Sequence, residues 1–164
     1  MFKPTELLTS AKNIDTYNPF GFMPLPEAVR SIDFERLKHK FTSSICAEMS
    51  PEEWGAAEPV YRRFLTLKLI YPGISLVPSK LINKIWHAHI LDTRAYRQDC
   101  EKVFGRFIDH YPYFGIYGKS DYQELQRRLS LTVELYERHF GPYPKASKIL
   151  TNPLQEDVYQ EVAP

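Results

Sequence analysis

The strongest constraint on this chain is a repeated pattern: apolar stretches of helical period, each ended by Pro- or Gly-containing stops. Apolar side chains recur at three- and four-residue steps in four segments, a spacing that buries one face of a helix rather than of a strand. The first segment runs from about Ser31 to Glu48, with Phe34, Leu37, Phe41 and Ile45 on one stripe. The second opens at Ser50-Pro51-Glu52-Glu53. Here a Ser cap, a Pro at the first helical position and a Glu three residues after the cap form a capping box. Its stripe of Trp54, Tyr61, Phe64, Leu65 and Leu69 ends at Tyr71, before Pro72-Gly73. Pro59 inside it predicts a kink or a split, because proline removes a backbone donor. The third segment extends from Pro78-Ser79 to Phe104 as one helix, with Gly105 placed as its C-terminal cap. The fourth opens with Ser120-Asp121-Tyr122-Gln123, a second capping box, and closes at Phe140 before Gly141-Pro142.

These segments predict an all-α fold, a compact bundle of about four main helices over residues 31–142. Residues 1–30, interrupted by Pro4, Pro19, Pro24 and Pro26, read as an extended N-terminal arm. Its Phe20, Phe22 and Met23 need an apolar surface to lie on. Residues 143–164 read as a loose C-terminal tail. A length of 164 residues leaves room for one domain. The net charge of +1 lacks the basic excess of a nucleic-acid backbone binder. No apolar run approaches the roughly 20 residues of a membrane span. Without a secretory h-region, the expected location is the cytoplasm, with Cys46 and Cys100 reduced.

Chemistry concentrates on the third segment. Trp86-His87-Ala88-His89 would present a two-histidine chelate on a strand. On a helix each residue turns by about 100°, so the two imidazoles point about 200° apart and cannot easily share an ion. His89 falls within the apolar stripe of Ile82, Trp86, Thr93 and Cys100, and Asp92, Tyr96 and Asp99 follow along its edge. His89 and Asp92 have the three-residue spacing of carboxylate–imidazole pairs in metal-binding bundles. With His110 folding back as a further ligand, the set His89, Asp92 and His110 suits an iron or zinc ion with open positions. Tyr96 and Asp99 are then the candidate catalytic groups, and Tyr96 would position a substrate or donate a proton. His87, Tyr111 and Tyr113 are candidate binding residues, the two tyrosines roofing the pocket.

A simpler reading stands beside each of these. A histidine on an apolar helix face is commonly a hydrogen-bonded core residue, the aspartates have basic neighbours in sequence, and Cys100 is a small hydrophobe. His39 sits between lysines on a solvated face, and His139 lies where its cationic form would complement a helix C-terminus. Phosphate-loop, His-Glu-x-x-His, nucleophile-elbow and Cys-x-x-Cys motifs are absent from the sequence. Aromatic residues make up 14% of the chain, and the surplus beyond the helix stripes lies in the 20–22 arm and the 111–117 connection.

Val77-Pro78-Ser79-Lys80-Leu81-Ile82, Ile85-Trp86-His87-Ala88-His89-Ile90-Leu91-Asp92-Thr93, Tyr96, Asp99-Cys100, Phe104-Gly105 and His110-Tyr111-Pro112 together resemble a block of the glycine-rich domain-containing protein-like family. Leu135-Tyr136-Glu137-Arg138-His139-Phe140-Gly141 is similar to its closing helix. The resemblance, over roughly residues 30–142, implies that His87, His89, Asp92, Tyr96, Asp99, Cys100 and His110 form a signature, and it implies no reaction. The glycine-rich tail and RNA-binding segment of larger members have no counterpart among the 7 Gly here.

The leading expectation is a helical protein with a polar His/Asp/Tyr pocket, performing metal-assisted oxidation or hydrolysis on a small-molecule or peptide substrate. The alternative is a non-catalytic module with a protein partner, in which the same groups form a buried structural network.

Overall fold

The computed structural model describes residues 22–144. Among them the chain is all-α, with six helices and no strand: α1 (Glu27–Arg30), α2 (Glu35–Ser43), α3 (Pro51–Ile70), α4 (Lys80–Leu91), α5 (Thr93–Phe104) and α6 (Lys119–Phe140). The expected bundle of about four main helices is thereby corrected in three places. The short α1 lies inside the supposed arm, with Val29 fully buried. The first long helix shrinks to α2, because the chain becomes extended at Ser44 and Ile45 points into solvent. The third divides into α4 and α5 at Asp92.

α3 is the central element. Its N-terminus carries the anticipated box: Ser50 Oγ accepts from the Glu53 amide at 3.1 Å, and Glu53 Oε2 accepts from the Ser50 amide at 2.7 Å. Pro59 does not split the helix, which runs unbroken through it. Trp54 and Ala57 before the proline, and Tyr61, Phe64 and Leu65 after it, are all buried. Packing on both sides outweighs one missing backbone bond.

Arg62 ties α1 to α3. Its guanidinium donates to the Val29, Arg30 and Ile32 carbonyls at 2.8, 3.1 and 3.0 Å. It also pairs with Glu58 Oε1 and lies over the Phe34 ring. The last carbonyls of α1 are thus satisfied by a side chain from another helix.

The expected box at Ser120 is absent. α6 starts two residues earlier, with Gly118 as cap and no side-chain cap bond. Asp121 instead reaches back and accepts from the Gly115 and Tyr117 amides at 2.8 and 3.1 Å, holding the preceding loop on the helix. At the far end of α6, Phe22 lies on Gly141, where a methyl group would overlap its ring. Phe20 and the tail beyond residue 144 lie outside the described residues. No helix among the described residues is long and apolar enough to cross a membrane.

Candidate functional site

The joint at Asp92 decides what the site is made of. Asp92 adopts φ −81°, ψ 70°, which lies outside the helical region, and serves as C-cap of α4 and N-cap of α5. Its carboxylate accepts from the Ala95 amide at 3.3 Å, at an exposed position. Thr93, expected on the apolar stripe, is exposed as well. His89 and Asp92 therefore do not share a helix face.

His89 is 3% exposed and bonded at both ring nitrogens. Nδ1 is 2.9 Å from the Tyr61 hydroxyl and Nε2 is 3.0 Å from Asp99 Oδ2. One tautomer satisfies all three groups: Tyr61 donates to Nδ1, and Nε2–H donates to the carboxylate. The rings of Phe34, Tyr61 and Tyr96 meet the imidazole edge-on. Burial pushes the Tyr61 hydroxyl well above the ordinary phenol range, so it keeps the proton it donates. Tyr96 is equally committed. Its hydroxyl donates to the Ile108 carbonyl at 2.7 Å and accepts from Trp86 Nε1 at 3.0 Å, and burial raises its pKa too. Asp99 and Tyr96, expected as catalytic groups, are thus members of an internal network that pins α4, α5 and the chain after α5 together.

His110 does fold back, but onto His87. The two Nε2 atoms are 3.1 Å apart, and Asn83 Oδ1 lies 3.0 Å from His110 Nε2. Asn83 and His87 stand one turn apart on α4, so they share the face that His110 meets. The His110 ring also packs edge-on against Trp86. Desolvation, then His87 and Lys68, depress the pKa of His110, which favours a neutral imidazole. Among the described residues no three His, Cys, Asp or Glu side chains converge as a metal-ligand set. The expected ligands His89, Asp92 and His110 are not brought together.

The His87–His110 pair forms a wall between two clefts. The larger, about 1050 Å³, is lined by Lys68, Asn83 and Tyr111 among others. The smaller, about 420 Å³, lies against Ile90, Leu91, Phe107 and Ile108. Both include His87, Asp109 and His110. Lys68 stands in the larger cleft with its ammonium 5.0 Å from the Trp86 ring centre and 5.6 Å from that of Phe64. Burial is the main cause of its lowered pKa. Tyr111 borders the larger cleft, whereas the exposed Tyr113 meets Tyr111 edge-on without lining it.

Sequence reading gives Asn83 and Lys68 no role and marks Tyr61 only as a core position. The four-residue step from Asn83 to His87 was a readable signal on a helix. Lys68 and Tyr61 sit on α3, and their meeting with α4 is a long-range contact that no local period encodes.

Neither a curated protein nor a solved structure matches the chain. A family model does match, over residues 26–135, and its description is UCP032817-like. The match overturns the resemblance to glycine-rich domain-containing proteins, for which no family match is found. It also begins at residue 26, immediately before α1 and inside the segment read as an arm. The chain belongs to the UCP032817-like family.

Proposed function

We propose that the larger cleft is the working site, and that it binds a small anion-bearing molecule. The observation that carries this reading is Lys68, a partly buried cation whose ammonium has no carboxylate partner among the described residues. Lys80 also lines the cleft, against one lining carboxylate, Asp109, whereas Arg128 on the same lining is paired with Glu124 at 2.8 Å. Such an excess of cations in a concave, partly apolar setting attracts a phosphate or carboxylate group, and the volume suits a compound of metabolite size. His87 and His110 line the same cleft, where an imidazole nitrogen not otherwise engaged could exchange a proton with the bound molecule. This reading makes the chain a small-molecule-binding protein, with acid–base chemistry as its natural extension, acting in the cytoplasm.

Thermal-shift titration with inorganic phosphate, citrate and succinate provides the test. Millimolar concentrations of at least one should raise the Tm of the native chain, and Lys68→Met should remove the shift while remaining folded by circular dichroism. If no anion stabilises the chain, or Lys68→Met responds equally, the reading fails.

The alternative, a protein-interaction module, draws support from a separate feature: Tyr111, Tyr113, Ile116 and Tyr117 are all exposed on the loop before α6. If that rim is the functional surface, the paired change Tyr113→Ser and Tyr117→Ser abolishes partner binding without altering the anion response.

A further inference from the structure

We infer that Asn83, His87 and His110 form a first-row divalent metal site at the partition between the two clefts. Two potential ligand atoms there lie close to a third, His110 Nε2. His110 Nε2 lies 3.1 Å from His87 Nε2 and 3.0 Å from Asn83 Oδ1. Ligands bound at about 2.1 Å to one ion stand about 3.0 Å apart at a right angle and about 3.4 Å apart at the tetrahedral angle. Both separations from His110 Nε2 match ligand pairs on one ion at near-octahedral angles. Imidazole nitrogen plus amide oxygen favours cobalt, nickel, iron or zinc over calcium and magnesium, which take oxygen ligands.

Proton bookkeeping makes the same point. With Asn83 oriented as it is, one proton on His110 Nε2 must serve two acceptors, His87 Nε2 and Asn83 Oδ1. A cation uses both. The Trp86 ring packs edge-on against His110 and limits its rotation, and the helix fixes the Asn83–His87 spacing. Three protein ligands leave positions open toward the clefts. Lys68 opposes a bare cation, so an anion reaching both the ion and the ammonium would complete the arrangement. A metal there supplies Lewis-acid polarisation or an activated water to a cleft-bound compound.

The metal site needs no anion, which keeps the two proposals separable. The experiment uses the untagged full chain with Cys46→Ser, because Cys46 is an exposed thiol that could bind metal on its own. Co²⁺ is titrated by equilibrium dialysis and by its visible absorption. One equivalent should bind, and His87→Gln and His110→Gln should each weaken it by more than about 100-fold. That is the upper end of what losing a merely supporting hydrogen bond costs a metal site. His39→Gln, on the exposed face of α2, should bind Co²⁺ as the parent does, and Lys68→Met at least as tightly. Absence of stoichiometric Co²⁺ in the parent, or its retention in both histidine variants with unchanged circular dichroism, overturns the site.

Discussion

At the scale of single residues, a lone buried histidine and a histidine pair do different work. His89 lies between Tyr61 and Asp99 with every polar atom of its ring used. His89→Leu strands a buried hydroxyl and a mostly buried carboxylate, and should cost about 2–4 kcal/mol in urea unfolding. Tyr61→Phe strands only Nδ1 and should cost about 1–2 kcal/mol. The double variant should lose less than the sum of the two, since both changes break one network; strict additivity would show that the groups are not coupled. His89 was readable from sequence as a polar group on an apolar face. Its partners were not: Asp99 comes to it only because the helix breaks between them, and Tyr61 lies 28 positions earlier on another helix. The His87–His110 pair was legible in half. The helical period correctly separated His87 from His89, but the return path of His110 depended on Tyr96 gripping the Ile108 carbonyl, a contact with no sequence signature.

At the scale of elements, the α4–α5 joint and the Arg62 clamp carry the predictions. Asp92→Ala removes a side-chain cap and should destabilise by about 1 kcal/mol, with Asp92→Asn nearly neutral. Neither change should alter Co²⁺ affinity, because the carboxylate faces solvent at the joint; a large loss of metal would contradict that placement. Arg62→Met leaves three carbonyls around the end of α1 without their donor, and should cost about 2–3 kcal/mol by the same unfolding assay. Helix existence was well marked in the sequence by period, the Ser50 box and Gly105, which takes φ +64° as the left-handed cap of α5. Boundaries were less so. Ile45 fits the stripe of α2, yet the amides of Glu48 and Met49 both turn back to the Phe41 carbonyl, closing the chain before Ile45 can pack. Likewise Asp121, rather than Ser120, organises the start of α6, because the preceding loop offers it two amides.

At the scale of the whole molecule, the pH dependence of stability follows from two partly buried histidines. Desolvation depresses the pKa of both His139, whose Nε2 lies 2.7 Å from the Tyr71 hydroxyl, and His110. The unfolded chain then binds more protons than the folded one as pH falls below the ordinary value of about 6.5. Stability should be full above that value and be lost as pH drops through the depressed folded-state values. Urea midpoints measured from pH 8 to pH 5 should therefore fall, and the fall should be smaller in His139→Gln; a flat or rising profile would show that these histidines are not held neutral. The partition formed by His87 and His110 has one more consequence at this scale. Two concavities that share a wall are not independent compartments. If an occupant of the small cleft shifts the two imidazoles that also line the large one, each occupant will alter the other's affinity by the same factor. Replacing either histidine by alanine would remove part of the lining the two clefts share, and a molecule with a charged head and a greasy tail could then lie across both.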